Sequence, residues 1–166
     1  MYTEKWLAEP DELASESVVQ PFPTNGDRFA ALEVWKRTHP ERFAMHAFIL
    51  QAIAANWHRK SPQQLKDLAE KVGKRRIMVV HGTKDRMITF PHGVVLWRGL
   101  EKGEGRTGRE YIGMEKEPDV FEEGEVEKHF LVDQAHVIPI EKRKVFREWL
   151  ERLIERGEQL NTKAGI

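Results

Sequence analysis

Apolar residues occur along this chain in two patterns, as short continuous runs and as stripes at helical spacing. Residues 77–80 (Ile-Met-Val-Val) form a continuous run that ends at His81-Gly82, which is typical of a strand buried on both faces of a parallel sheet. Residues 129–132 (His-Phe-Leu-Val) predict a second strand. We therefore expect two parallel strands with helices packed around them.

The stripes at helical spacing predict five helices. In residues 43–55 only His46 and Gln51 are polar, which indicates either a core helix buried on more than one side or a lid over an apolar ligand pocket. Residues 1–28 carry three prolines and little periodicity, and predict an irregular lead-in or lid. The predicted helices are 28–37, 43–55, one from Ser61-Pro62 to Gly73, 90–100, and one from Glu141 to Gly157.

The order strand, helix, strand, helix predicts an α/β fold with a parallel crossover. We expect residues 1–60 to form a helical segment and residues 61–166 to contain the strands. A sheet of two strands is only marginally stable, and no other run of residues predicts a strand. We therefore expect the sheet to be incomplete. The polar residues 101–127 predict a solvated insertion between the two strands.

Composition and charge exclude several classes of protein. The chain has 27 basic and 27 acidic residues, so it lacks the one-signed charge of a protein that binds nucleic acid or a membrane surface. It has no cysteine, which excludes disulfides, thiolate metal sites and a cysteine nucleophile. The histidines lack metal-site spacing, His81 is expected to be a strand-end residue, and the glycines form no phosphate-binding loop. We expect no metal and no cofactor.

The chain shows no sign of a membrane or secretory segment. Its first residues are polar and of mixed charge, without the apolar core of a signal peptide. Residues 43–55 are too few for a bilayer, which needs about 20 apolar residues. We expect no transmembrane segment and, by default, a cytoplasmic location.

Two side chains with acid–base chemistry follow the predicted strands. Asp85 comes five residues after Val80, and His136 comes four residues after Val132. If the strands are neighbours, both side chains lie at the carboxyl edge of the sheet, where parallel sheets bind their ligands. An Asp that accepts the Nδ1 proton of a His fixes the tautomer of the ring, and Nε2 then takes a proton from a nucleophile.

Spacing by itself leaves alternatives open. Asp133 or Asp119 is a rival to Asp85 as the partner of His136, and a turn-capping Asp with a structural His is the plainer interpretation. The nucleophile is also missing. No Gly-x-Ser-x-Gly elbow exists, because no glycine stands two residues before or after any of the three serines, Ser15, Ser17 and Ser61.

The two motifs resemble those of the α/β-hydrolase-fold superfamily, in its lipase and esterase-like branch. Residues 77–88 resemble the strand and turn that carry the family's triad acid, and residues 130–139 resemble its last strand and histidine loop. Stretches within residues 6–28 and 52–65 are similar to the family's cap and return helix. Ala135 stands where the family commonly has glycine before the histidine, and residues 101–127 lengthen the separation of acid and base.

The resemblance implies a partial α/β-hydrolase fold, with cap helices in residues 1–60 and the last two strands with their helices in residues 61–166. It implies that Asp85 is the acid and His136 the base of a serine-type triad that hydrolyses a small-molecule ester or acyl substrate. The nucleophile and the oxyanion hole belong to the family's N-terminal half, which has no counterpart here. We therefore expect the chain to be inactive alone, and its partner to be that missing half or a second copy.

Two other functions stay open. One is a non-catalytic remnant or binding module that docks on a partner through the apolar helix and the open sheet edge. The other is an unrelated small α/β cofactor-binding domain, which the lack of a phosphate-binding loop disfavours.

Overall fold

The computed structural model describes residues 1–12, 22–41, 45–57, 60–104, 112–113 and 124–165. Over these residues the fold is mixed α/β and divides into two compact units. Thr3–Arg59 form the helical unit, and Met1–Tyr2 with Lys60–Ile166 form the sheet unit. None of the described helices is long and apolar enough to cross a membrane. The elements are α1 (Glu4–Ala8), α2 (Asn25–Thr38), α3 (Met45–Trp57), α4 (Pro62–Val72), a 3-10 turn (Lys74–Arg76), β1 (Met78–Gly82), α5 (Phe90–Lys102), β2 (Glu127–Leu131), α6 (Ile138–Glu141) and α7 (Arg143–Ala164).

The helical unit is more regular at its start than the sequence predicts. Thr24 caps α2 through a reciprocal capping box. The buried Asn25 donates from Nδ2 to the carbonyl oxygen of Trp6 (3.0 Å) and accepts at Oδ1 from the N–H of Glu12 (3.0 Å). The prediction of an irregular segment was therefore wrong at α1 and at the start of α2. The cap and the side-chain hydrogen bonds of Asn25 order residues that show little periodicity.

Helix α3 lies close to the predicted helix 43–55, of which residues 43 and 44 are outside the described part of the chain. Its side chains Ile49, Leu50 and Ile53 are 51%, 62% and 50% exposed. A core helix would bury these residues. The interpretation of α3 as an ordinary core helix is therefore wrong for this face.

The sheet unit contains the two predicted strands as parallel neighbours. Their register runs from Met78 opposite Glu127 to Gly82 opposite Leu131. Both strands differ in their bounds from the prediction, because backbone pairing rather than apolar character sets where a strand ends. Asp85 therefore follows its strand by three residues rather than five, and His136 by five rather than four.

Helices α4 and α5 pack together, and α5 builds the core against the sheet. The predicted start of α4 at Ser61 is confirmed, since the Ser61 hydroxyl accepts from the Gln64 N–H (3.2 Å) and Gly73 follows its last residue. The indole N–H of Trp97 donates to the Val126 carbonyl oxygen (2.9 Å). The core side chains come from α4, α5, the strands and the residue before β2, and are Ala69, Val79, Phe90, Val94, Trp97, Leu100, Val126 and Phe130.

Residues 101–127 are only partly described. The two residues at the start of this range belong to α5, and Val126 is buried in the core at its other end. Both ends of the predicted insertion therefore belong to the packed fold. Residues 105–111 and 114–123 lie outside the described part, so the prediction of a solvated loop stays a prediction there.

The terminal helix is longer than predicted. The sequence predicts a helix from Glu141 to Gly157, whereas α7 starts at Arg143, passes through Gly157 and ends at Ala164, followed by the capping residue Gly165, whose φ is 73°. The carbonyl oxygen of Gly157 accepts a hydrogen bond from the Arg76 guanidinium (3.1 Å). The prediction that the helix ends at Gly157 was therefore wrong. A glycine inside a helix lowers its stability by only about 1 kcal/mol, and tertiary contacts offset that loss.

Helix α7 contacts the sheet face opposite α5. His129 and Phe130 are consecutive in β2, so their side chains point to opposite faces. Phe130 joins the core, and the His129 ring stacks on Trp149 of α7 with 3.9 Å between ring centroids. The sheet is therefore covered by a helix on each face.

Candidate acid–base site

Two loops meet at the carboxyl edge of the sheet. Residues 83–89, between β1 and α5, are the acid loop, and residues 132–137, between β2 and α6, are the histidine loop. Gly82 allows their close approach. A Cβ on Gly82 would lie 2.3 Å from the carbonyl oxygen of Gln134 and 2.6 Å from that of Ala135. Both distances are shorter than any side chain tolerates, so the position requires glycine.

Hydrogen bonds donated by backbone N–H groups then hold the loops together. The N–H of Thr83 donates to the Leu131 carbonyl oxygen (2.9 Å), and the N–H of Lys84 donates to that of Gln134 (2.9 Å). The N–H of Asp133 donates to the Thr83 hydroxyl oxygen (2.9 Å). These bonds fix the acid loop relative to the histidine loop.

Asp85 is the buried acid of this site. Its side chain is 5% exposed. Oδ1 accepts from the N–H groups of Met87 (2.8 Å) and Ile88 (3.0 Å), in the manner of an Asx turn. Oδ2 meets Nδ1 of His136 at 2.8 Å. Every hydrogen bond that Asp85 accepts favours its ionised form.

The pKa of Asp85 lies below its ordinary value. Burial by itself raises that pKa, because it disfavours the charged carboxylate. The hydrogen bonds from the Ile88 amide, the His136 ring and the Met87 amide, together with the charge of the ring, outweigh burial. Asp85 is therefore a carboxylate at neutral pH, and only an N–H of His136 can bond to it.

His136 is fixed through both its backbone and its ring. Its backbone N–H donates to the carbonyl oxygen of Met1 (3.0 Å), and its ring donates from Nδ1 to Asp85. The neutral ring therefore carries its proton on Nδ1 and a lone pair on Nε2. The side chain is 33% exposed, so part of it is in contact with solvent. The arrangement is a base with its orienting acid.

Asp133 and Asp119 are the two alternatives to Asp85 as the partner of His136. The carboxylate of Asp133 pairs with the Lys84 ammonium at 2.9 Å, and its side chain is 68% exposed. Its backbone adopts the left-handed conformation (φ 61°), which Asp tolerates better than most residues. Asp119 lies outside the described residues. Of the two rivals, Asp133 is thus engaged with Lys84 rather than with His136.

The described site pairs a carboxylate with an imidazole, and the serines lie elsewhere in the sequence. Ser61 caps α4 through its hydroxyl, and Ser15 and Ser17 lie outside the described residues. Among the described residues no group of three or more His, Cys, Asp or Glu side chains is arranged to hold a metal ion. The chemistry that the described site offers is therefore proton transfer at Nε2 of His136.

Sequence reasoning missed two residues of this site. The sequence marks Gly82 only as a strand boundary, although it is where the end of β1 touches the histidine loop. The sequence predicts only that His81 is a strand-end residue, although its Nε2 lies 3.8 Å from Oδ2 of Asp85. The spacing of four residues between His81 and Asp85 is a weak signal for the second contact. No local signal marks the first, which depends on a residue 52 positions away.

Comparison with known proteins assigns no family to the chain. No protein-family model matches it, and neither a curated protein nor a solved structure gives a significant match. The resemblance to α/β hydrolases therefore rests on the two motifs themselves.

Proposed function

We propose that this chain supplies the acid and the base of a serine-type α/β-hydrolase site, with Asp85 as the acid and His136 as the base. The observation that carries the proposal is the 2.8 Å hydrogen bond between a buried carboxylate and Nδ1 of a partly exposed His, formed across two strand-end loops. The resemblance of residues 77–88 and 130–139 to the family's motifs supports it. The nucleophile then comes from sequence beyond these 166 residues or from another chain.

The mechanism follows from where the protons of Asp85 and His136 lie. Asp85 holds the Nδ1 proton of His136, so Nε2 is the basic atom and takes the proton of a serine hydroxyl as its oxygen attacks an ester carbonyl. The carboxylate stabilises the imidazolium that forms. The imidazolium then gives its proton to the departing alkoxide, and an acyl-enzyme remains. Water, deprotonated by the same Nε2, hydrolyses that ester and restores the site.

The first prediction concerns the chain by itself. Because no serine elbow is present, the 166-residue chain should not be labelled by a fluorophosphonate probe. It should also hydrolyse p-nitrophenyl acetate no faster than its His136→Ala variant. Both are read by a labelling gel and by release of nitrophenol. If the wild-type chain hydrolyses the ester and His136→Ala does not, the chain is an enzyme with a different nucleophile. That result would refute the prediction that the chain is inactive by itself.

The reading frame upstream of Met1 tests where the nucleophile comes from. We expect it to encode further strands and a Gly-x-Ser-x-Gly motif, and we expect the extended chain to react with the fluorophosphonate. Asp85→Asn and His136→Ala should slow that labelling by about 10³-fold or more, whereas Asp133→Asn should leave its rate unchanged. An in-frame stop or untranslated leader upstream would count against this origin of the serine.

A second candidate function is a binding module without catalysis. The observation that favours it is the exposure of Ile49, Leu50 and Ile53 on α3, because such side chains in one helix commonly mark a contact surface. Strand β1 also has only one pairing partner in the described sheet. This function requires the purified chain to form an oligomer or complex. Sedimentation of the chain as a stable folded monomer would count against it.

A further inference from the structure

His81 lies beside the acid–base pair without a hydrogen bond to it. Its side chain is 11% exposed, and its Nδ1 is hydrogen-bonded to the carbonyl oxygen of Gly82 (3.0 Å). Its buried Nε2 has no hydrogen-bond partner among the described residues and lies 3.8 Å from Oδ2 of Asp85. The same oxygen meets Nδ1 of His136 at 2.8 Å. A single carboxylate oxygen therefore faces two imidazole rings.

The carbonyl of Gly82 determines where the proton of His81 is. A carbonyl oxygen only accepts, so Nδ1 of His81 carries the proton, and Nε2 of the neutral ring carries a lone pair. That lone pair faces Oδ2 of Asp85, which is also only an acceptor, so no hydrogen bond forms across the 3.8 Å. A second proton makes Nε2 a donor. An approach of about 1 Å would then give a charge-assisted hydrogen bond to Oδ2.

Packing against α5 keeps the ring of His81 beside Asp85. A Cβ on Gly93, in the first turns of α5, would lie 2.6 Å from Cγ of His81, so the ring is pressed against the helix backbone. The Phe90 ring of the same helix lies beside it in a T-shaped arrangement, with 6.1 Å between ring centroids. The ring therefore stays beside Asp85 in both protonation states.

We propose that His81 is a positioning residue for Asp85: while neutral it leaves Oδ2 to His136, and once protonated it binds Oδ2 and weakens the acid–base pair. The consequence for catalysis rests on the proposed function. The competition for Oδ2 is a property of the folded chain, and it is measurable without any substrate.

The groups that face His81 come from both loops and from α5. They are Asp85, His136 and His92. Burial is the largest influence and lowers the pKa of His81, the Gly82 hydrogen bond and the Asp85 charge act against burial, and His136 and His92 lower the pKa further. The pKa of His81 therefore lies below its ordinary value, and the ring is neutral at pH 7.

The second prediction is an NMR titration of the His81 ring in the full chain. Asp85→Asn should lower the pKa of His81, since it removes the carboxylate that favours the charged ring, and His136→Gln should raise it. His39→Gln, in the helical unit, is the matched control and should leave it unchanged. Identical titration of His81 in all four proteins would show that its ring does not respond to Asp85 or His136, and that result would overturn the proposal.

A second measurement follows the proton between Asp85 and His136. In the wild-type chain its resonance should be lost on acidification as His81 binds a proton. In His81→Phe, which keeps a ring but cannot bind a proton, it should persist to the lower pH at which Asp85 is protonated. Equal midpoints would contradict the competition. If His81→Phe does not fold, the titration of the unsubstituted His81 still decides.

These experiments separate the two proposals. If the extended chain does not react with the fluorophosphonate, the hydrolase function is refuted, whereas the expected titrations of His81 are unaffected. Unchanged titration of His81 would refute its positioning role and leave Asp85 and His136 as the acid and base.

Discussion

Replacing Gly82 with alanine is expected to lower the free energy of unfolding by about 3 kcal/mol and to separate the acid loop from the histidine loop. The added Cβ would lie 2.3 Å and 2.6 Å from two carbonyl oxygens of the histidine loop. Those atoms belong to the backbone and cannot rotate away, so the loops must move apart. The hydrogen bond from Lys84 to Gln134 and the bond between Asp85 and His136 both span the gap that would open.

Gly157 provides the matched control for an added methyl group. It lies inside α7, and the nearest atom to a Cβ built on it is Nη1 of Arg76 at 3.9 Å, an ordinary contact. Gly157→Ala should therefore raise the free energy of unfolding by about 0.5–1 kcal/mol, the usual gain for Gly to Ala in a helix. Urea unfolding, followed by tryptophan fluorescence and by circular dichroism, measures both variants. A Gly82→Ala chain with the wild-type midpoint would show that the two loops do not depend on this contact.

Replacing Asp85 with asparagine is expected to remove the hydrogen-bonded Nδ1 proton of His136 and to lower the free energy of unfolding at pH 7 by about 2–3 kcal/mol. The carboxylate is buried and accepts two backbone N–H bonds besides the bond from His136. Asparagine keeps the shape but loses the charge, and its amide nitrogen cannot accept from the ring. The cost is therefore that of charge-assisted hydrogen bonds in a buried site.

The pH dependence of this difference has a definite sign. The pKa of Asp85 is lower in the folded chain than in the unfolded chain, whose carboxyl titrates near its ordinary value of about 3.9. The stabilisation is therefore fully present above pH 5, and it is lost as the pH falls through the folded pKa. Wild-type and Asp85→Asn unfolding curves should converge in that acid range. A difference that stays constant from pH 7 to pH 2 would contradict a role for the charge.

Asp133→Asn is the control with the same chemical change. Its carboxylate makes an exposed pair with Lys84, and such pairs contribute about 0–1 kcal/mol. Asparagine also accepts the left-handed backbone of this position (φ 61°). The variant should keep the Nδ1 proton resonance of His136 and lose less than about 0.5 kcal/mol. Loss of that resonance in Asp133→Asn would assign the orienting acid to Asp133 instead of Asp85.

Local chemistry by itself determined most of the elements. The capping serine and the following proline placed the start of α4, and the two continuous apolar runs placed the strands. The pairing of Asp85 with His136 was also accessible from the sequence, because residues that follow parallel strands share one edge of a sheet. Their hydrogen bond is present in the structure, whereas their catalytic role stays a prediction.

The local sequence pattern could not predict the contacts that join distant parts of the chain. The approach of the Gly82 backbone to the histidine loop, and the placement of Nε2 of His81 beside Asp85, depend on residues far apart in sequence. The continuation of α7 through Gly157 is of the same kind, since local propensity favours a stop there and tertiary packing overrides it. The sequence by itself thus determined which two groups share the sheet edge. Only the tertiary structure decided how closely the loops meet and that a second imidazole faces the same carboxylate oxygen, because packing and burial are set by the whole fold.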